Sequence, residues 1–499
     1  MAGIGFELKK IVRQGTMASY LQVALSGAMI VAGPWLITIL AIGLIQRFYR
    51  GALAEGPDLF LATVVYTYTG SLLSFGGVHY LFSRILSDLL YEKKERQTLA
   101  YFGWFLLLVG FLSALVGAGI GGTIRPMAIR NPLAYRVCAG FFFLFVSLHW
   151  LFIVYASLLR WYGRILAIYA GGMGLFVLSS AFLSPLWGVA GVLAGFTLGN
   201  LGILAGLTIL ILKFRQEARG LVERKGFTEV FTECTRGVWK YMKTRGDLFF
   251  TGYFYYLGIW IDKILFWIGK GQQVEGTWFR VFPPYDVLVY YTNLTMIPGL
   301  VFFVVFTETG FATILRKFLE GLSRRTYLNI LKEKRRLYGE SLKYVRDLGL
   351  FQGCITLSTA LLSFWLIPSS PFPGTVGALL WGVFLHLLYF VLTSFLFFLE
   401  AYRGALVTAV LFFGVNLLVT LVSLGDGQGV KVFSLLGGGA EGGKVAYLLG
   451  GNASGGFPFL LPPGSGYLLG TFVAVMVSGG IFLVTLRRID SRIFSRAAE

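Results

Sequence analysis

The sequence predicts an all-α, polytopic membrane protein of about twelve transmembrane helices, arranged as six and six. Three observations predict it. The 499 residues are 56 % hydrophobic, 16 % aromatic and only 13 % charged, a balance far more apolar than that of a water-soluble globular chain. Apolar runs long enough to cross a hydrocarbon core recur along the sequence, at 20–48, 59–86, 99–122, 133–158, 164–183, 186–212, 247–268, 287–308, 347–367, 375–399, 404–424 and 465–486. A polar, basic stretch between the sixth and seventh runs, 213–245, parts the chain into two halves.

Charge supplies the orientation. The net charge of +19 would suggest nucleic acid in a soluble protein, but with the N-terminus inside and twelve crossings, 33 of the 43 Lys and Arg residues fall on inner segments or, as Arg84 and Arg164 do, at the inner ends of spans. That bias satisfies the positive-inside rule, places both termini in the cytoplasm and points to anionic lipid headgroups as partners, with no nucleic acid. Cys138, Cys234 and Cys354 are odd in number and lack CxxC spacing, which argues against a disulfide framework and a zinc site. No cofactor is expected. The run from Tyr20 is about twice as long as a signal h-region, so the first helix is expected to stay attached.

Before the first span, Phe6, Leu8, Ile11 and Val12 alternate with charges, as in a segment that rests on headgroups or simply orients helix one. The first span, YLQVALSGAMIVAGPWLITILAIGLIQRF, carries no charge before Arg47. In its middle Pro34, followed by Trp35, denies the carbonyl of Ile30 its helical partner, a defect tolerated where neighbouring helices or a wet cavity cover it. This helix is expected to line something.

The second span ends in HYLFSRILSDLLYEKK, with Arg84 and Asp88 four apart on one helical face. His79, His149 and His386 are each expected as satisfied core residues. Spans three to six carry small-residue runs such as GFLSALVGAGIGG and GVAGVLAGFTLGNLG, which let helices approach closely where lipid supplies no hydrophobic drive. In the central stretch, Phe227, Val230, Phe231, Cys234 and Val238 recur at three- and four-residue steps and predict a cytoplasmic amphipathic helix.

The seventh span, DLFFTGYFYYLGIWIDKILFWIG, holds Asp262 and Lys263 about 24 Å along the helix from its inner start. Ionisable groups in hydrocarbon cost about 2.5–3.5 kcal/mol on insertion scales, so these two face a bundle interior or cavity, or else Lys263 snorkels outward. Tyr255, Tyr256 and Trp260 offer faces for sugar rings or form an interfacial belt. The eighth span opens at Tyr285-Asp286, is interrupted by Pro298 and closes at Glu308-Thr309; Asp286 and Glu308 read as path groups or as interfacial carboxylates. Between 316 and 346 a strongly basic helix shows one apolar face, Leu328, Leu331, Tyr338, Leu342 and Val345. The GDGQG of the outer loop has no strand before it or helix after it and is no phosphate cradle.

These motifs also carry a resemblance. The opening Gly3, Gly5, Phe6 and Glu7, the Gly33-Pro34-Trp35 step, Arg84, Asp88 and Tyr91, the YYLGIWIDK segment with Gly258, Trp260, Asp262 and Lys263, Tyr285-Asp286 with Pro298, and the tail at Arg487 to Asp490 together resemble the PelG family of bacterial exopolysaccharide transporters. Glu308 to Phe311 and the glycine-rich outer loop depart from the family pattern. The resemblance implies a flippase-type fold, two six-helix bundles around a central cavity, with units at 1–213 and 246–499 joined by the linker 214–245. It implies export of an N-acetylhexosamine-containing polymer across the cytoplasmic membrane. It also implies assembly with a cytoplasmic glycosyltransferase, a cyclic di-GMP-sensing membrane protein and a tetratricopeptide-containing membrane protein.

The expected substrate path comprises Pro34, Trp35, Arg84, Asp88, Tyr256, Trp260, Asp262, Lys263, Asp286, Pro298 and Glu308, working without covalent chemistry. No Ser/His/Asp set, metal cluster or nucleotide motif supports an enzyme. The rival readings are an ion-coupled small-molecule or lipid-linked oligosaccharide flippase and a membrane scaffold for a glycosyltransferase complex.

Overall fold

The computed structural model describes residues 15–56, 58–126, 128–158, 161–217, 227–322, 326–366, 374–424 and 461–489. The amphipathic start at 6–13, the GDGQG loop and Asp490 lie outside the described residues. Within them the chain is helical throughout, apart from turns and one two-stranded hairpin. In chain order the elements are α1 (Met17–Phe48), α2 (Arg50–Leu53), α3 (Leu59–Tyr91), α4 (Glu95–Thr123), α5 (Pro132–Leu158), α6 (Tyr162–Trp187), α7 (Val189–Glu217) and α8 (Phe227–Lys270). The strands β1 (Gln272–Gln273) and β2 (Arg280–Val281) follow, then α9 (Pro283–Leu294), α10 (Met296–Phe302) and a π-helical turn (Phe303–Glu308). The remainder is α11 (Thr309–Leu322), α12 (Tyr327–Leu366), α13 (Thr375–Phe398), α14 (Tyr402–Ser423) and α15 (Ser465–Arg487).

Ten segments among the described residues are long and apolar enough to cross a membrane. The other two expected spans, 247–268 and 347–367, fall in the second halves of the long helices α8 and α12. In α8 the charged Asp262 and Lys263 dilute an otherwise apolar stretch. The helix expected in the central linker is the first part of α8 itself, which runs on into the seventh span through a single non-helical residue, Arg245 (φ −135°, ψ 29°).

The chain packs as two compact units. The N-terminal unit comprises Ala32–Tyr256 and Gln272–Val281. Its core is aromatic: Phe176 and Phe142 pack on Phe196 at ring-centroid distances of 4.6 and 4.9 Å, and Phe82 packs on Phe105 at 4.9 Å. Glycine sets the closeness of its helices. A methyl group at Gly199 of α7 would sit 2.7 Å from the carbonyl oxygen of Gly172 in α6, and one at Gly117 of α4 would sit 2.5 Å from that of Gly140 in α5. The small-residue runs are thus backbone-to-backbone contacts, in which dispersion replaces the hydrophobic drive that lipid removes. Two buried polar groups find partners within the unit: the Tyr135 hydroxyl shares a 2.6 Å hydrogen bond with Thr63, and His149 Nε2 lies 3.1 Å from the carbonyl oxygen of Asn200, the core role expected of it.

The hairpin β1–β2 belongs to this unit although the chain on both sides of it does not. Phe279 and Val274 are buried in the unit's core. The Tyr66 hydroxyl of α3 donates to the carbonyl of Arg280 and accepts from its N–H, at 2.9 and 3.0 Å. Trp278 Nε1 donates to Thr123 of α4 at 3.1 Å, and Arg125 N–H donates to the carbonyl of Gly276 at 2.7 Å.

The C-terminal unit takes the described part of Met1–Val31, then Leu257–Gly271 and Phe282–Glu499. Its core stacks Phe311 on Phe395 at 4.0 Å, with Phe482 5.3 Å from Phe395. The basic stretch 316–346, expected as one helix, is carried by two, α11 and the start of α12. Its apolar face is also rotated from the expected one: Leu328 and Leu342 are exposed, whereas Ile330 and Leu337 are buried. The reason is local. Ser341, one turn beyond Leu337, returns its hydroxyl to the carbonyl of Leu337 and so is buried at no cost in unpaired polar groups.

Candidate functional site

In the N-terminal unit, α3 and α8 build a charged cluster. Arg84 and Asp88 lie four apart on α3, and the guanidinium meets the carboxylate through two contacts, Nε to Oδ2 and Nη2 to Oδ1, both 3.1 Å. Such a fork holds both side chains in one orientation more tightly than a single contact does. Tyr241 of α8 donates its hydroxyl to Asp88 Oδ2 at 3.2 Å. Burial, and then the negative charge of Asp88, push the Tyr241 phenol up to about 12, so it stays a donor at neutral pH. Nearly two turns earlier on α8, Trp104 Nε1 of α4 donates to Thr235 at 2.9 Å. The amphipathic part of α8 is thus held by named polar bonds as well as by Cys234, which is buried.

In the C-terminal unit the seventh span carries a second pair, of different character. Asp262 is 0 % and Lys263 5 % exposed. The Lys263 ammonium donates to both carboxylate oxygens, at 3.1 and 3.2 Å, and to the Ile259 carbonyl at 2.8 Å. The Tyr285 hydroxyl of α9 donates to Asp262 Oδ2 at 2.5 Å. Lys263 Nζ also lies 5.1 Å from the ring centre of Tyr467 in α15 and 5.8 Å from that of Trp260, within the range of cation–π attraction. Of the two readings left open for Lys263, interior and snorkelling, the structure takes the interior one, because its stem folds back to the carbonyl one helical turn earlier.

Around this pair the neighbours are equally ordered. Trp267 Nε1 donates to Asp286 at 2.9 and 3.1 Å, and the Phe282 N–H caps the same carboxylate at 3.0 Å. Asp286 is therefore the staple of the turn into α9. His386 stacks on Tyr467 at 5.7 Å. Asn416 of α14 donates to the carbonyl of Gly258 at 2.8 Å, where a methyl group at Gly258 would strike the Phe412 ring.

The two proline-containing spans behave differently. In α1 the helix continues through Pro34, and the Thr38 hydroxyl bonds the Pro34 carbonyl at 2.8 Å; the expected break is absent because one missing N–H leaves the rest of the ladder intact. Trp35 is exposed. The eighth span is interrupted, with α9 ending at Leu294, α10 beginning at Met296 and the π turn following. Pro298 is exposed there. Gln352 of α12 donates its amide to the Thr295 carbonyl at 2.9 Å, satisfying an oxygen that the interruption frees. Glu308, expected at an interface, is buried at the end of the π turn, between the buried Thr307 and Thr309. Tyr256 is half-buried, and Gly76 leaves room for its ring.

The predicted residues thus fall into separate groups. Arg84 and Asp88 come together in the N-terminal unit, to which Pro34, Trp35 and Tyr256 also belong. Trp260, Asp262, Lys263 and Asp286 gather in the C-terminal unit, where Pro298 and Glu308 lie on the interrupted span. Sequence reading missed Tyr241, Trp267, Gln352, Asn416 and Tyr467. Gln352 and Asn416 had a legible signal, each being a lone amide in an apolar run; the three aromatics had none, since only the fold supplies their partners.

Residues 1–449 match the PelG family, described as an exopolysaccharide exporter, EPS-E. No curated protein matches the chain. Among solved structures, a MATE in the straight conformation is 10 % identical, with 94 % of this chain and 96 % of that one covered and a TM-score of 0.50. VcmN, a MATE transporter of Vibrio cholerae in its bent form, is 12 % identical, with 94 % and 99 % covered and a TM-score of 0.48. An outward-facing multidrug resistance MATE family transporter of the MOP superfamily is 14 % identical, with 97 % and 96 % covered and a TM-score of 0.47. The first of these shows a shared fold and nothing of substrate. With ten segments among the described residues long and apolar enough to cross a membrane and a match over 449 of its 499 residues, the chain belongs to the PelG family of exopolysaccharide exporters.

Proposed function

We propose that this chain exports a Pel-type, N-acetylhexosamine-containing exopolysaccharide across the bacterial cytoplasmic membrane during biofilm matrix biosynthesis, with both termini in the cytoplasm. The observation that carries the reading is the family match across residues 1–449. Physical chemistry supports it, because moving a sugar chain through hydrocarbon requires replaceable hydrogen-bonding groups and flat apolar faces, and no bond need be made or broken. Arg84 and Asp88 in the N-terminal unit, with Tyr256, supply such groups, as do Trp260 and Asp286 in the C-terminal unit. Asp262 and Lys263 act from behind, fixing Tyr285 and the ring of Trp260. Pro34, Trp35, Pro298 and Glu308 complete the proposed set through the two proline-bearing spans.

The proposed functional division is a bundle at 1–213, a cytoplasmic linker at 214–245 and a second bundle at 246–499. The basic face of 316–346 meets anionic lipid, and the proposed protein partners are a cytoplasmic glycosyltransferase with cyclic di-GMP-sensing and tetratricopeptide-containing membrane proteins. The test is reconstitution. Vesicles holding the chain and a candidate glycosyltransferase, supplied with labelled sugar nucleotide outside, are expected to accumulate labelled polymer in the lumen. Polymer that stays outside at full synthesis rate would reject export, and luminal polymer without this chain would reject its part in it.

A further inference from the structure

The Asp262–Lys263 pair poses a physical problem. Two opposite charges taken from water together gain less from each other than each loses in hydration unless further groups satisfy them, so a neutral, well-packed pair of side chains would stabilise this site as well or better. The shell of the ammonium shows what it substitutes for. Nζ is surrounded by two carboxylate oxygens at 3.1 and 3.2 Å, a main-chain carbonyl at 2.8 Å and the face of Tyr467 at 5.1 Å. Anionic oxygen, carbonyl oxygen and an aromatic face make up the ligand set of a desolvated monovalent cation.

We propose that Asp262, the Ile259 carbonyl and Tyr467, with Tyr285 holding the carboxylate, form a monovalent-cation site whose resident occupant is the tethered ammonium of Lys263. The site is full without sodium or potassium, so cation binding at this carboxylate does not drive transport. This goes beyond the export reading, and its test needs no polymer. His386 behind Tyr467 and Asp286 on Trp267 are the other titratable groups nearby; the first packs its ring on Tyr467, Tyr389 and Phe412, and the second is occupied by Trp267 and Phe282.

The experiment is thermal unfolding of the purified full chain in detergent at constant ionic strength, with potassium or sodium chloride replacing choline chloride. Lys263→Met vacates the site and leaves the carboxylate. Its midpoint is expected to rise by about 2–4 °C in potassium or sodium, while the wild type and Asp262→Asn/Lys263→Met do not respond. An equal response in the wild type or in the double variant overturns the proposal. So does a Lys263→Met protein that responds to pH alone, because its carboxylate has then taken a proton. So does a Lys263→Met protein that aggregates in every salt while the double variant folds. Lys263→Gln, of similar length and uncharged, is read the same way.

Discussion

Lys263 and Arg84 are both cations beside an aspartate, and the structure gives them unlike energetics. Arg84 and Asp88 are each roughly a quarter to a third exposed in their side chains, so water screens their attraction and the pair contributes about 0–1 kcal/mol. Asp262 and Lys263 have no such screening. Asp262→Asn leaves a buried ammonium unpaired and is expected to cost about 3–5 kcal/mol, while Asp262→Asn/Lys263→Met, which removes both charges, is expected to cost less than that single change. Unfolding midpoints of the two variants check this, and a double variant as unstable as Asp262→Asn would refute it. Tyr241 gives a second residue-scale prediction. Its folded pKa is raised above 10 to about 12, so the stability it contributes is fully present below pH 10 and is lost as pH rises through 12. Subtracting the Tyr241→Phe ultraviolet titration from that of the wild type is expected to show a phenol near 12, and Asp88→Asn is expected to lower that midpoint. The pairing of Arg84 with Asp88 was legible from spacing, because four residues return a helix to the same face. Neither the depth of Asp262 nor its tie to Tyr285 was legible, since sequence distance says nothing of what a neighbouring helix presents.

At the scale of elements, α6 and α7 separate packing from propensity. Gly199 meets the Gly172 carbonyl and Phe176, whereas Gly174 on α6 has open space where a side chain would begin. Gly199→Ala is expected to cost about 1–3 kcal/mol through overpacking. Gly174→Ala is expected to be neutral or stabilising by up to about 1 kcal/mol through helix propensity. Equal effects in thermal or denaturant unfolding would show that close approach is not what the glycines supply. The interrupted span gives a further test. Gln352→Leu removes the donor to the half-buried Thr295 carbonyl and is expected to cost about 0.5–1.5 kcal/mol, the net worth of one such hydrogen bond, whereas Gln352→Asn, too short to reach, is expected to behave like the leucine variant. Proline alone did not reveal which helix would part. Pro34 sits in an otherwise regular ladder, but at the eighth span Pro298, the Gln352 cap and the π turn act together.

At the scale of the whole molecule, orientation follows from charge distribution and is open to direct test. A single cysteine at Lys334, introduced after Cys138, Cys234 and Cys354 are replaced by alanine, is expected to react with an impermeant thiol reagent only in inverted vesicles. One at Trp278, exposed on the hairpin, is expected to react only from the outer side; the reverse pattern would invert the proposed topology. By itself the sequence determined the solvent, the helical class, the order of the ten apolar spans found among the described residues and the family, because apolar length and charge asymmetry are one-dimensional quantities that a bilayer reads directly. Only the tertiary structure decided that the hairpin 272–281 packs with one unit while the chain on either side of it packs with the other, and that Lys263, for which interior and snorkelling positions were both open, is held by a carboxylate, a carbonyl and a tyrosine face. The physical reason is that a buried charge goes where its partners are, and although Asp262 and the Ile259 carbonyl lie on the same helix, the groups that close the shell, Tyr285 and Tyr467, come from helices far along the chain.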